Sequence, residues 1–510
     1  MSRTENAVKN IVFGTISNIR GLFLSFISRT VFIYILGSTY LGISGLYSSV
    51  LSVLSFTELG FGTALTFAMY KPVAENDEDR IIKLLHFYKT VHRIVALIVA
   101  LLGLAILPFL QYIVNGGEDL SLFELRLYFL IYLANSVLSY FVSYKYCYLN
   151  ALQKNYITTN IEAVISVIVT VLQILVLIVT KNFLVYLIIQ TLFSLLSKFG
   201  VSFYLNSQFP VLKKKPIQLM TKEDKQPIYT EVKGLLVHNL SSIAVHSTDN
   251  IIISSLSGLG VAAVGLVSNY NLIITSVLGF VRLIFGSMTS GFGNLVAMGD
   301  KANYHKVFTE ANFLNFWIYG FFSIAFFVLI PPFITLWIGD EYLIDQASFL
   351  LIVLNGYLQG QCTIYNNARI AKGNFNKDKW NALCQAMVNL IVSVIAAKYW
   401  GLLGVYVGTI CSRMVTMVRP IKTYPFLFGR SSKEYYKDFS IYFLIVLIAG
   451  VITLFLANLI LREVCLLSFA GAMLVVAAIP NLIFLLFFFR TKRFRAVLDR
   501  AMKLMRKEKR

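Results

Sequence analysis

Charge is scarce in this chain of 510 residues. Only 14% are Asp, Glu, Lys or Arg, against about a quarter in a soluble domain. Acidic residues are scarcer still, 25 against 45 basic ones. A large soluble catalytic domain is thereby excluded. No GxxxxGK[ST] loop is present, so the chain is not an ATP-driven pump by itself. No HExxH is present, and the expected exported loops are tiny, which argues against a polytopic glycosyltransferase or polymerase. The chain is read as a non-enzyme that needs no cofactor and no metal. Cysteine is also sparse. Cys147, Cys362, Cys384, Cys411 and Cys465 lie in or at apolar runs without metal-ligand spacing, and are read as free thiols packed as small apolar groups. The opening MSRTENAVKNIVFG is polar for ten positions and then enters a run too long for a signal-peptide core, so no cleaved signal is expected.

What the chain has is apolar residues, 57% of the total, with a mean hydropathy of +0.72. A bilayer crossing needs about 20 such residues. Fourteen runs qualify, near 11–36, 41–67, 94–114, 125–149, 157–180, 183–204, 234–257, 261–297, 308–337, 346–367, 380–398, 401–424, 438–460 and 465–489. The fold class is therefore an all-α polytopic membrane protein with about 14 transmembrane helices. Pro331-Pro332 is expected to kink or end the ninth span. The first two spans are expected to join through a short turn, GSTYLG. Residues 71–93 read as a short helix on the cytoplasmic surface.

The net charge of +20 would suggest nucleic acid in a soluble protein. Here it follows topology, and no nucleic-acid partner is implied. Lys and Arg fill alternate loops, for example Lys213 to Lys215 and Arg430 to Lys437, while GSTYLG, SGLG and KYWG carry almost none. The positive-inside rule then places both termini in the cytoplasm. The expected division is an N-terminal set of six spans (1–204), a cytoplasmic linker (205–233) and a second set of six (234–424). A final pair of spans (425–489) and a basic tail (490–510) follow. The tail is amphipathic and is read as a helix on anionic lipid.

Charges inside the spans are the functional candidates, because an ionised group in hydrocarbon costs about 3 kcal/mol or more. The first hairpin holds Arg20, Arg29 and Glu58. Arg20 and Arg29 are nine residues apart, so they share one cavity only if the helix bends, as Gly21 would permit, or if the cavity is entered from different sides. Arg282 lies near the middle of the eighth span, suited to hold an anion or to form a structural ion pair with Asp249 or Glu58. Lys145 and Arg413 lie nearer inner ends and are read as snorkelling. Asn355 and Gln359 give the tenth span a polar side. In the seventh span, His238, Ser242 and His246 recur every four residues, and Asp249 falls within about 20° of His238. That stripe, with Asn250 beside it, faces a cavity or a partner helix. Asp249 and His246 are its candidates for a coupling cation or proton.

An internal repeat supports the division. A shift of 220 residues sets Leu36 on Leu256, Gly45-Leu46 on Gly265-Leu266, Ser48 on Ser268 and Arg29 on Asp249; a shift of 217 sets Asn150-Ala151 on Asn367-Ala368. Because each block has an even number of spans, the two should be related by an axis along the membrane normal.

The segments RTVFIYILGSTYLGISGLYSSVLSVLSFTELGFGTALTFAMYKPVAE and STDNIIISSLSGLGVAAVGLVSNYNLIITSV resemble a Wzx-type polysaccharide flippase. So do PPFITLWIGDEYL and NARIAKGNFNKDKWNALCQAMVNLIVSVIAAKYWGLLGVYVGT. That family is the polysaccharide-transporter branch of the MOP exporter superfamily. The resemblance implies two six-helix lobes in a V around an electropositive cavity, plus two C-terminal helices. It implies alternating-access transfer of undecaprenyl-pyrophosphate-linked oligosaccharide to the outer leaflet of the bacterial cytoplasmic membrane. An ion gradient, H+ or Na+, would supply the energy. A polysaccharide polymerase and glycosyltransferases are the further partners implied. Arg20, Arg29 and Arg282 match the arginines that related lipid II flippases place in such a cavity, so they would bind substrate. Asn269 and Tyr270 would contact sugar, and Glu58, Asp249, His246 and His238 would respond to the ion. Two other classes stay open: a multidrug exporter of organic cations, and a scaffold for polysaccharide assembly without transport.

Overall fold

A computed structural model describes the chain apart from residues 1–2, 56–60, 118–119, 257, 259, 287, 300, 373–378 and 508–510, and apart from some side chains within helices. Every regular element among the described residues is a helix. Ten of these helices are long and apolar enough to cross a membrane. The protein is a multi-pass membrane protein, and contacts divide it into two compact units, Met1–Gly265 and Leu266–Arg510.

The first unit holds α1 (Arg3–Leu54), α2 (Phe61–Glu75), α3 (Glu78–Ile106), α4 (Leu110–Ile113), α5 (Leu122–Ala151), α6 (Tyr156–Thr180), α7 (Phe183–Gln208), α8 (Lys222–His246), α9 (Thr248–Leu256) and the start of α10 (Gly260–Gly286). The apolar part of α1 runs for 43 residues, about 65 Å if straight and twice the hydrocarbon thickness. It therefore has to fold back. It bends at Gly37, whose φ of 78° and ψ of −172° lie outside the helical range and suit a residue without Cβ. Phe183 packs on Phe32 before the bend and on Tyr40 after it. The expected six-residue turn GSTYLG is thus one residue, and Gly42 lies inside the helix. Gly42 serves a close approach instead. A Cβ there would sit 1.9 Å from the Val261 carbonyl oxygen, and one on Gly265 would sit 2.1 Å from that of Ser38. In lipid, where helix association rests on packing rather than the hydrophobic effect, such small-residue contacts let backbones meet.

The same end of the unit is tied by backbone bonds. The Asn115 carbonyl accepts from the Val261 N–H at 2.7 Å, the Asn115 amide donates to the Ser255 carbonyl, and the Ser254 hydroxyl donates to that of Ile113. At the other end, the expected surface helix over 71–93 is not separate. The break falls at Asn76, with φ 55°. Asp77 then caps α3 by accepting from the Arg80 N–H, and nothing stops α3 before Ile106. Within the expected linker, a Thr221–Asp224 capping box starts α8 at Lys222.

The second unit holds the rest of α10, α11 (Met288–Ala297), α12 (Lys301–Ile338), α13 (Gln346–Gln361), α14 (Thr363–Ala371), α15 (Lys379–Met417), α16 (Pro420–Phe428), α17 (Ser432–Ile460), α18 (Leu466–Phe488) and α19 (Lys492–Lys507). α15 repeats the device of α1. It folds at Gly401, φ 55° and ψ −128°, and its halves pair antiparallel through Asn389–Thr409 and Ser393–Val405. Reading α1 and α15 as two crossings each turns ten long helices into twelve. The pairs α8–α9 and α13–α14 occupy the places expected for the seventh and tenth spans. α12 runs on through Pro331 and Pro332 to Ile338, so the expected stop is absent, and it packs against α13 and α18. Its aromatic core stacks Phe316 on Tyr442 at 4.3 Å, with Phe484 and Phe488 around them, each such pair adding about 1 kcal/mol.

The tail helix α19 is docked by one face. Phe494 and Val497 pack on this core, Trp317 stacks on Phe494, Arg493 pairs with Asp438 at 2.8 Å, and Arg500 reaches the buried Glu310 at 2.7 Å. The polar side of α13 also packs: Arg413 donates to Asn355 at 2.7 Å and Gln359 at 3.2 Å. Arg413 and Lys145 are both buried, not snorkelled into water.

Candidate functional site

The second half of α1 reads SGLYSSVLSVLS. Ser44, Ser48, Ser52 and Ser55 recur at intervals of four, four and three, so they line one face of the helix. Each hydroxyl donates to the carbonyl one turn back: Ser44 to Tyr40, Ser48 to Ser44, Ser52 to Ser48 and Ser55 to Leu51, at 2.8 to 3.0 Å. The hydrogens are therefore committed and the oxygen lone pairs remain to accept.

This stripe walls a cavity of about 450 Å³ in the first unit. Ser48, Leu51, Ser52 and Ser55 form one side, Ser136 of α5 another, and Ile243 and Ser247 of α8–α9 the rest. Tyr140, one turn from Ser136, donates to the Ser55 oxygen at 2.9 Å. Asn250 donates to Ser49 at 2.9 Å and fixes α9 against α1. The seventh span is not one even helix: α8 ends at His246, Ser247 forms a turn, and α9 begins at Thr248. The run Ser247-Thr248-Asp249-Asn250 explains the interruption, since these side chains compete for backbone hydrogen bonds. It also displaces the continuous stripe expected over this span. Interrupted helices are where membrane transporters concentrate polar sites. Half-buried Asp249 occupies the first turn of α9, where the helix dipole favours a carboxylate. The chemistry on offer is a serine wall rich in acceptors. It suits a ligand that brings donors, such as sugar hydroxyls, or a cation.

Within the first unit, Arg20 and Arg29 lie apart from each other and from the serine wall. α1 is helical through Gly21 and bends only at Gly37, so Arg20 and Arg29 stay on different sides of one helix. Arg20 donates to Ser17 at 3.1 Å, and Arg29 lies half-buried beside Tyr186 of α7. Neither lines the serine cavity. Arg282, in the second unit, is exposed on α10 and reaches the Thr275 carbonyl at 3.5 Å. Asn269 and Tyr270 are fully buried. Tyr270 accepts from the Ile344 N–H at 3.1 Å and packs on Phe349, so it anchors the loop before α13. Glu58 lies outside the described residues, as do the side chains of His238 and His246. The serines are what the sequence reading passed over; their spacing along the second span is the signal that finds them.

The second unit has a groove of the opposite character. Phe327, Val353, Leu354, Phe443, Leu447 and Leu454 of α12, α13 and α17 are among the side chains lining a nearly wholly apolar space of about 310 Å³. It fits a hydrocarbon chain.

No protein-family model matches the sequence, and no curated protein matches it. Solved structures do. Over 94% of this chain and 99% of the other, the fold matches a lipid II flippase, MurJ, in an inward closed conformation, with a TM-score of 0.67 and 12% identity. An inward-facing multidrug resistance MATE family transporter of the MOP superfamily matches at 0.59 and 17%, covering 78% of this chain and 92% of that one. A Vibrio cholerae MATE transporter, VcmN, in a mutant form matches at 0.53 and 15%, over 81% and 94%. This chain has the fold that these structures share. These neighbours are a flippase and transporters.

Proposed function

We propose that the protein is a flippase that moves a lipid-linked oligosaccharide, carried on undecaprenyl pyrophosphate, from the inner to the outer leaflet of the bacterial cytoplasmic membrane. The observation that carries this reading is the extent of the fold match. The lipid II flippase accounts for 94% of the chain, the multidrug transporters for 78 to 82%. The two cavities support it from the chemistry. A polar head group rich in hydroxyl donors meets a serine wall rich in acceptors, and a polyprenyl chain needs an apolar groove.

In this account the serine wall takes the sugar, and buried Asn269 and Tyr270 are left out of it. Arg20, Arg29 and Arg282 supply positive charge for the pyrophosphate, since a guanidinium matches phosphate oxygens two at a time. Asp249, Glu58, His246 and His238 respond to H+ or Na+, and transfer proceeds by alternating access. Both termini lie in the cytoplasm. The polymerase and glycosyltransferases of the pathway are its expected partners.

The test is export in cells that depend on this gene. Arg29→Ala and Arg282→Ala should abolish surface polysaccharide while the protein stays in the membrane. Lipid-linked units should then accumulate in the inner leaflet. Normal output from both variants contradicts the arginine assignment. Resistance to cationic dyes on overexpression, with polysaccharide unaffected, favours a multidrug exporter.

A further inference from the structure

Lys145 of α5 is 4% exposed, and the transport reading gives it no task. Its ammonium donates to the carbonyl and the hydroxyl of Ser202 on α7, both neutral. Lys89 of α3 approaches the same place. The two ammonium nitrogens lie 5.9 and 5.7 Å from the centre of the Tyr144 ring. Arg93 and Lys215 stand within electrostatic reach of Lys89. Lys89 and Lys145 thus meet at one ring where α5 packs on α3 and on α7.

Among the described residues, acids of the same helices and of α6 and α8 have partners of their own. Glu78 pairs with Lys214, Asp79 with Lys83 and Asp224 with Arg80, and Glu162 accepts from Tyr146. Burying a cation without a counter-charge is costly, and a second cation beside it adds repulsion. An anion at this point offsets both.

The surroundings say where the anion comes from. Three polar groups of the cluster have an exposed apolar side chain one helical turn away on the same face. Arg93 is followed by Leu97, Lys145 is preceded by Phe141, and Ser202 by Phe199, and these are 60%, 45% and 47% exposed. A soluble anion needs no such skirt. A phospholipid does, with its phosphate among the cations and its acyl chains along the apolar side chains below.

We propose that Lys89 and Lys145, with Arg93 and Lys215, form a site for the phosphate of an anionic phospholipid, seated against Tyr144 and Ser202. The site is independent of the proposed transport activity and of the serine cavity.

The experiment is native mass spectrometry of the full chain titrated with phosphatidylglycerol. Phosphatidylcholine and inorganic phosphate serve as separate arms, and K213Q as a control at a basic residue outside the site. The wild type and K213Q should hold one phosphatidylglycerol per chain in preference to phosphatidylcholine. K89Q and K145Q should each bind it about fivefold more weakly, by the contribution of one basic residue to an anionic lipid. K89Q, at a half-exposed position, carries the test if K145Q does not fold. Unchanged retention in K89Q overturns the proposal. Inorganic phosphate that displaces the lipid at equal concentration overturns the lipid assignment and makes this a site for a soluble anion.

Discussion

Replacing Gly42 by alanine puts one methyl group where the structure has a carbonyl. The new Cβ would sit 1.9 Å from the Val261 oxygen, 2.8 Å from its carbon and 3.1 Å from the Gly265 nitrogen. A carbon and a carbonyl oxygen approach to about 3.3 Å, so the helices must part by over an ångström. The obstacle is backbone, which no rotamer change relieves. Overpacking of this kind costs about 1–3 kcal/mol. Gly265→Ala meets the Ser38 oxygen at 2.1 Å and should cost as much. Gly21→Ala is the control. Its Cβ meets nothing within 4 Å, and a helix-interior alanine gains about 0.5–1 kcal/mol over glycine. The assay is thermal melting of the purified chain in one detergent at one scan rate. Gly42→Ala and Gly265→Ala should each melt well below the wild type, and Gly21→Ala at or above it. The double variant should lose less than the two losses combined, since the first separation makes room for the second methyl. Melting of Gly42→Ala together with the wild type refutes the close contact between α1 and α10.

Other predictions follow from single contacts. Ser52→Phe, which fills the serine cavity, should reduce export at least tenfold, while Ser52→Ala changes it little; equal export from both removes the cavity from the pathway. Arg500→Ala leaves the buried Glu310 carboxylate without its partner and should cost about 1–3 kcal/mol, reduced from a fully buried pair by the half-exposure of Arg500; Glu310→Gln in the same chain should restore part of the melting temperature. Cys465, held below the usual thiol range by hydrogen bonds from Ser468, should react with an impermeant maleimide at lower pH than an ordinary thiol. The thiolate dominates above the lowered pKa and is lost as pH falls through it, so Ser468→Ala should move the labelling curve to higher pH. Labelling of Cys465 in intact cells tests the exported position of its loop.

The helical, multi-pass character was legible because composition and run length alone decide it. The places where the sequence misled are those where a backbone contact overrides a residue's ordinary tendency. Gly37 makes the whole turn that six residues were expected to share, while Gly42 and Gly265 are small for proximity and not for bending. Pro331 and Pro332 sit inside a helix that packs on its neighbours and carries on to Ile338. Residues 78–93 look like a surface helix because charges interrupt their apolar spacing, but nothing stops the helix from entering the membrane. The candidate site was legible only in part. Intramembrane charge drew attention to Arg20, Arg29 and Arg282, yet the described cavity is walled by serine. A hydroxyl that bonds its own backbone carries little hydropathy signal. The tail read as a lipid-facing amphipathic helix, because no local pattern reveals that Glu310 and Asp438 wait to pair with it.

The central claim is transfer of a lipid-linked oligosaccharide across the bilayer. It is tested most directly with the purified chain in liposomes that carry an undecaprenyl-pyrophosphate oligosaccharide in the inner leaflet, under an imposed ion gradient. A sugar-binding probe outside the vesicles reports arrival. The account predicts transfer that depends on the protein and is lost in Arg29→Ala and in Ser52→Phe. Transfer no faster than in protein-free vesicles, under either a proton or a sodium gradient, contradicts it.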